Sequence, residues 1–322
     1  MPGSLPQRAT TWRPDVAADA LAGLLQPHKS LPPKLFYDDE GCRLFGEITR
    51  LPEYYPTRTE RALLAAIAPE LVASVPGRGA LVEYGASDEA KAALLLDAAR
   101  PGGGLPFAAY VPIDIAGGAL AVLTARMRQS HPAIAVHPIE ADFLRPLRLP
   151  NGIAWLPRLG FFPGSTIGNF DPPTARQFLA QARDALGRGA CFLVGVDLRK
   201  DPAILVPAYD DAQGVTAAFN RNLLVRLNRE ARADFEVDSF AHRAVWNEAE
   251  GRIEMHLVSQ RVQTVRLAGH TVHFGAGESI HTENSYKYGL EGFAALAGSA
   301  GWTARRSWTD AERLFSLHLL EN

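Results

Sequence analysis

Phe161-Phe162-Pro163-Gly164-Ser165-Thr166-Ile167-Gly168-Asn169-Phe170-Asp171-Pro172 is the stretch on which the fold turns. It opens apolar, as the end of a buried strand does. It then passes through small residues and sets an amide, Asn169, just beyond them. Pro172 and Pro173 restart the chain as the first turn of a helix, TARQFLAQARDAL. In an open α/β sheet, ligands sit outside the carboxyl ends of the strands. A strand, a small-residue turn, a polar amide and a new helix build such an edge.

Strand and helix alternate on both sides of this stretch. ALVEYGAS (80–87) is an apolar run ending in Gly85, and Lys91 to Ala99 follows as helix. AAYVPIDI (108–115) is a second strand, with Asp114 at its end, and Gly117 to Gln129 a second helix. AIAVHPIEADF (133–143) reads as a third strand, residues 158–165 as a fourth and ACFLVGVDL (190–198) as a fifth. Apolar strands separated by helices argue a parallel sheet with helices on both faces. TARRSWT and RLFSLHLL read as a hairpin closing that sheet.

Two regions have a different character. Residues 1–12 look like a loose tail, and Arg13 to Gln26 has helical spacing. Pro32-Pro33 break the chain, and Pro52 and Pro56 bracket a loop holding Tyr54 and Tyr55. Thr57 or Thr59 can cap the helix that follows, to about Val75. After Asp197 comes a loop carrying Tyr209, then a helix, then short alternating runs with turn signals at Glu250-Gly251 and Ala268-Gly269. These are antiparallel β-hairpins. A helical pattern returns at Ser285. The expected division is a sheet domain of residues 60–197 and 286–322, and a second α+β domain of residues 13–59 and 198–285.

The totals narrow the function. A chain of 322 residues can bury a substantial core. A formal net charge of −2 gives no reason to expect nucleic acid or a membrane as partner. No run of about 18 apolar residues is present, and the start, MPGSLPQRATTWRPDV, lacks the apolar core of a secretory signal. Cys42 and Cys191 lie far apart and form no CxxC pair, so the expectation is a cytoplasmic protein. Neither has a basic partner in sequence, and Cys191 opens an apolar strand, so core packing is the better account. A monomer is expected.

On one side of the sheet edge the residues suit a nucleoside. Gly85 lets the backbone approach a ligand. The dinucleotide pattern GxGxxG is absent, since the chain reads Gly85-Ala86-Ser87-Asp88-Glu89-Ala90. That counts against a pyrophosphate cradle and is compatible with S-adenosylmethionine, which has no phosphate. Asp114 can accept from both ribose hydroxyls. Asp142 and Phe143 offer an acceptor for an adenine amino group and a face for its ring. Lys91 can pair with the methionine carboxylate. Singly, each acid is as readily a helix cap or a solvated loop residue; their recurrence at successive strand ends favours the nucleoside.

On the other side the candidates are Tyr37, Tyr54, Tyr55, Asn169, Tyr209, Met255, Glu283 and Ser285. Phenols, an amide and a carboxylate suit a small zwitterion. Asn169 and a tyrosine hydroxyl can hold a carboxylate. Glu283 and Ser285, two apart, face the same way if extended and can grip a basic ring. A lone tyrosine is more often packing, and a loop glutamate more often solvated. His256, His273 and His281 suggest a metal, but no HxxxH or CxxC spacing supports one, so no metal is expected. No GxSxG or Ser/His/Asp order is apparent.

LPEYYPTRTE (51–60), FFPGSTIGNFDP (161–172), the VDLRKDPAILVPAYDD run from Val196, TAAFNRNLLVRLNRE (216–230) and IHTENSYKY (280–288) together resemble the histidine-specific, S-adenosylmethionine-dependent methyltransferases of ergothioneine biosynthesis. The resemblance spans roughly residues 30–320. It implies a Rossmann-like class I methyltransferase sheet, S-adenosylmethionine as cosubstrate, and trimethylation of the histidine α-amine to hercynine. By matching motif it implies that Gly85, Lys91, Asp114, Asp142 and Phe143 bind the cosubstrate. Asn169 and Tyr209 would hold the substrate carboxylate, Glu283 and Ser285 the imidazole, with Tyr54 and Met255 lining that pocket. Tyr37 and Phe45 would approach the amine. The two-tyrosine motif leaves Tyr54 and Tyr55 one position apart in this role.

One departure stands out: Ser87 occupies the place of a second glycine in the turn after the first strand. Two other outcomes therefore stay open. One is a family member acting on another amino acid, such as a tryptophan derivative. The other is a catalytically inactive amino-acid-binding relative.

Overall fold

The computed structural model describes residues 12–75, 78–86, 88–99 and 103–322. Ser87 and most of the N-terminal tail lie outside the described residues. The chain begins with α1 (Pro14–Leu24), α2 (Asp39–Ile48) and α3 (Tyr55–Ser74). It continues through β1 (Gly79–Tyr84), α4 (Ala90–Leu96), β2 (Phe107–Asp114), α5 (Gly117–Ser130), β3 (Ala135–Val136), β4 (Ile139–Glu140), β5 (Arg158–Phe162), α6 (Pro172–Leu186), β6 (Cys191–Asp197) and α7 (Pro202–Leu205). Then come α8 (Val215–Glu230), β7 (Phe240–Asn247), β8 (Arg252–Ser259), β9 (Gln263–Leu267), β10 (His270–Phe274) and β11 (Ser279–Tyr286). The last elements are α9 (Leu290–Ser299), β12 (Thr303–Thr309) and β13 (Phe315–Glu321).

Two compact units divide these elements. The sheet unit comprises Gly46–Ala208, Trp246–Ile253 and Asn284–Asn322; the second unit comprises the described residues to Phe45, Tyr209–Val245 and Glu254–Glu283.

In the sheet unit the strands run in the order β12-β13-β6-β5-β1-β2-β3, with β4 also pairing β2. β1 is parallel to β2 and β5, and β5 to β6. β13 enters antiparallel between β6 and β12. The order reverses between β1 and β5, so their carboxyl ends open the crevice where an open α/β sheet takes a ligand. Strand residues alternate between two cores. Leu81 and Phe161 pack with Leu64, Leu71, Leu95 and Met127 of α3, α4 and α5. Val82 and Phe162 pack with Phe178, Leu179 and Phe293 of α6 and α9. Both faces are therefore covered, which is why these strands read as continuous apolar runs.

Several local expectations change. The third strand is two short pieces, because Pro138 between them has no N–H to give the ladder. The fourth stops at Phe162, where Pro163 stands. Neither Thr57 nor Thr59 caps α3: the helix has begun by Tyr55, with Pro56 in its first turn. The helix after β1 is shorter than 91–99, and Ser285 still belongs to strand β11. Pro172 does open α6, with the Asp171 carboxylate accepting from the Thr174 N–H at 2.9 Å.

The second unit packs α1 and α8 with an aromatic cluster. Phe36 stacks on Phe219 of α8 at 4.4 Å between ring centres. Phe235, Phe240 and Phe274 form another cluster. β9 and β10 form an antiparallel hairpin, His270 opposite Leu267 through Phe274 opposite Gln263. β7, β8 and β11 lie in the order β11-β8-β7. Among the described residues, no helix is long and apolar enough to cross a membrane.

Candidate active site

At the carboxyl end of β1 the chain turns through Gly85, whose φ of +75° favours glycine. The Gly85 and Ala86 N–H groups both donate to the Ile113 carbonyl of β2, at 2.8 and 3.1 Å. A side chain at Gly85 would meet nothing closer than Phe143, 3.9 Å away, so conformation rather than crowding requires the glycine. Asp114 ends β2. One of its oxygens accepts from the Ala116 N–H at 2.7 Å, and burial raises its pKa. Asp142 is braced by the Leu144 N–H at 3.0 Å. Phe143 packs edge-on to Tyr84 and Phe162, at 6.4 and 5.7 Å between ring centres. A positive-φ glycine, an acid at the end of the second strand and an acid–aromatic pair after the third fit a nucleoside that carries no phosphate.

Lys91, in the first turn of α4, lies 2.5 Å from the carboxylate of Glu60 in α3. Glu60 is fully buried, and both its oxygens also accept from the Gly164 N–H at 2.9 Å. Lys91 is expected to meet a carboxylate of the cosubstrate; within the chain its partner is Glu60, 31 positions earlier, with no local pattern in the sequence to join them. Beside it on β1, buried Glu83 accepts from the Tyr110 hydroxyl, and burial raises its pKa to about 8.

The turn quoted at the outset wraps the end of β5. Ser165 has a φ of +57°, and a short 3-10 turn from Thr166 ends at Asn169. A Cβ on Gly168 would lie 2.7 Å from the Tyr286 carbonyl, so only glycine lets this turn sit against the end of β11. Behind it lies the fully buried Asp197, at the end of β6. Its carboxylate meets Lys200 and Lys287, each at 2.6 Å, and the Tyr55 hydroxyl at 2.9 Å. Burial pushes its pKa up, but the two ammonium groups prevail and hold it below the usual range. Burial brings Lys200 down to about 8 despite that partner. Lys287 also donates to the Ser285 hydroxyl at 2.8 Å. Tyr55 is thus built into this buried cluster, whereas Tyr54 precedes α3. The sequence signal for Asp197 was a charge closing the apolar run of β6; nothing local pointed to Lys287.

The sheet unit therefore holds Gly85, Lys91, Asp114, Asp142 and Phe143 together with Tyr54, Asn169 and Ser285. The second unit holds Tyr37, Phe45, Tyr209, Met255 and Glu283. Tyr37 and Phe45 meet edge-on at 6.3 Å, each against Phe219. The Tyr209 carbonyl is bonded by His242 Nε2 at 2.8 Å, with Asn220 on the other ring nitrogen. Met255 is buried on β8, and its carbonyl accepts from the Thr282 hydroxyl at 3.0 Å. Glu283 is buried on β11 rather than solvated in a loop, and its carbonyl bonds His281 Nε2 at 3.1 Å. Glu254, His256 and His281 bring ligand-type atoms within 4.8 Å of one another. Neighbouring strands create that grouping, so no sequence spacing could reveal it. Within it, His256 Nε2 lies 3.2 Å from the Glu254 carboxylate. His273 lies apart, opposite Thr264 on the β9–β10 hairpin.

A parallel sheet reversed at β1 and β5, with an antiparallel strand inserted beside β6 and an acid at the second strand end, defines an S-adenosylmethionine-dependent methyltransferase of the Rossmann-like class I fold, here with an additional α+β domain. A methyltransferase structure from Clostridium acetobutylicum superposes with a TM-score of 0.51 at 8% identity, covering 87% of this chain and 98% of that one. The model of the family described as histidine-specific methyltransferase, SAM-dependent, matches residues 16–322, and the chain belongs to that family. The histidine N-alpha-methyltransferase of Mycolicibacterium smegmatis is 44% identical over 313 residues, 95% of this chain and 96% of the relative. That of Mycobacterium tuberculosis is 44% identical over 304 residues, 94% and 93%.

Proposed function

We propose that the chain transfers methyl groups from S-adenosylmethionine to the α-amine of L-histidine, three times in succession, giving hercynine on the route to ergothioneine. The observation that carries this is 44% identity, along 95% of the chain, to a histidine N-alpha-methyltransferase. The buried Glu283 and Ser285 on β11 support the imidazole as the recognised group.

Each transfer is an in-line displacement. The amine lone pair attacks the methyl carbon, the S–C bond breaks with its electrons passing to sulfur, and S-adenosylhomocysteine leaves. Alignment is the main catalytic task, worth up to roughly 7–11 kcal/mol in favourable cases. Gly85, Lys91, Asp114, Asp142 and Phe143 hold the donor; Asn169 and Tyr209 hold the substrate carboxylate. Glu283 and Ser285 grip the ring, with Tyr54 and Met255 lining its pocket. Tyr37 assists loss of the amine proton to water. Its ring and that of Phe45 offer aromatic faces to the ammonium that forms. The protein works as a cytoplasmic monomer without a metal.

Mass spectrometry of the common amino acids, each incubated with the protein and S-adenosylmethionine, tests this. Mono-, di- and trimethylated histidine are expected. Methylation of tryptophan instead, or release of no S-adenosylhomocysteine, would overturn it.

A further inference from the structure

We propose that Lys287 is a positioning residue for substrate recognition, fixing the Ser285 hydroxyl as a hydrogen-bond donor, with Asp197 as the anchor that holds it there. This rests on the assignment of Ser285 to the imidazole.

The geometry lies entirely within the sheet unit. Lys287 is fully buried in its side chain, 2.6 Å from Asp197 and 2.8 Å from Ser285 Oγ. An ammonium group has donors and no acceptor. Ser285 must therefore accept from Lys287, and its own proton is directed to an acceptor elsewhere. A neutral imidazole offers one such acceptor, its bare ring nitrogen. A serine without this neighbour could donate or accept and would discriminate less.

Asp197 ties the same point to the other substrate residues of this unit. Its N–H donates to Ser165 Oγ at 2.9 Å, and the Ser165 carbonyl accepts from the Gly168 N–H at 2.8 Å, one residue before Asn169. Its carboxylate accepts from the hydroxyl of Tyr55, the residue after Tyr54. One buried residue thus braces all three segments: the Asp197 N–H holds the one bearing Asn169, and its carboxylate holds those bearing Tyr54 and, through Lys287, Ser285. A buried ion cluster is poor value as stabilisation, since well-packed apolar residues of like volume usually serve as well. Its polar contacts run instead to the segments that carry the substrate residues.

The test compares Ser285→Ala, Lys287→Met and the double variant in steady-state kinetics, with S-adenosylmethionine binding followed by calorimetry. Ser285→Ala is expected to raise the histidine KM roughly tenfold, the value of one good hydrogen bond. Lys287→Met should raise it comparably, with kcat and cosubstrate affinity little changed. Combining the two should add little to either alone, as for residues acting through one contact. Should Lys287→Met not fold, Asp197→Asn/Lys287→Met removes that ion pair as a unit, leaving Lys200, whose pKa burial already lowers to about 8, able to shed its proton; the same rise in KM is expected. If Ser285→Ala raises the histidine KM but neither Lys287 variant does, or if the effects simply multiply, the proposal is wrong and the histidine assignment stands. If Ser285→Ala leaves the histidine KM unchanged, the assignment of Ser285 itself fails.

Discussion

Lys91 and Glu60 form an ion pair 2.5 Å apart in which the carboxylate has no exposure to solvent. Lys91 thus reaches the end of β1 already neutralised, and any cosubstrate carboxylate it binds must share its ammonium group with Glu60. Lys91→Met is expected to weaken S-adenosylmethionine binding roughly tenfold, the scale of a hydrogen bond to a charged group, and to leave histidine affinity unchanged. Titration calorimetry with each ligand checks this. Unaltered cosubstrate affinity would confine Lys91 to holding α3 against α4.

Tyr37 stands against Phe45 and Phe219. Tyr37→Phe keeps the ring contacts and removes the hydroxyl. All three methylations should slow by roughly a hundredfold, near the lower end for a proton-transfer group, with little change in either KM. Single-turnover rates on histidine and on its monomethyl and dimethyl forms would show it. Unchanged rates would leave Tyr37 a packing residue.

Glu283→Ala removes a buried carboxylate from the strand that also carries Ser285. The histidine KM is expected to rise roughly ten- to a hundredfold, far more than the KM for S-adenosylmethionine. Equal effects on both would separate Glu283 from imidazole recognition.

Glu83 supplies a pH-dependent stability prediction. Burial raises its pKa from 4.5 to about 8 in the folded protein. The native state therefore holds the proton more tightly than the unfolded chain. The resulting stability is fully present below the unfolded value and is lost as pH rises through about 8. Glu83→Gln mimics the protonated carboxyl and can still accept from Tyr110. Urea denaturation should find the two proteins alike near the unfolded pKa, and the variant more stable by on the order of a few kcal/mol at pH 8 and above. A gap independent of pH would refute this.

Legibility in the sequence followed the range of the interactions. β1, β2, β5 and β6 were evident because strands covered on both faces are continuously apolar, and Pro172 marked α6 through its own covalent constraint. The closing hairpin was evident from TARRSWT followed by the apolar run RLFSLHLL. Pro138 was visible, yet its effect on the third strand depends on which N–H groups the neighbouring β2 requires. Asp197, Lys200 and Lys287 illustrate the limit. Lys200 is local to Asp197, but Lys287 comes from beyond the whole second unit, so only the folded sheet joins them. His256 and His281 meet for the same reason, through the adjacency of β8 and β11.

The place of β13 has a consequence for how the chain comes to be made. β6 pairs along its length with β13, from Asp197 opposite Phe315 to Cys191 opposite Glu321. Until residues 198–321 have been synthesised, that side of β6 is an unsatisfied edge on a strand of apolar side chains, an invitation to pair with another nascent chain. Asp197, at the end of the same strand, waits for Lys287 over nearly the same interval. A chain arrested or cleaved before Lys287 would carry a sticky edge together with a buried acid lacking one of its two lysine partners. The sheet and the Asp197 cluster both depend for completion on residues near the C-terminal end of the chain.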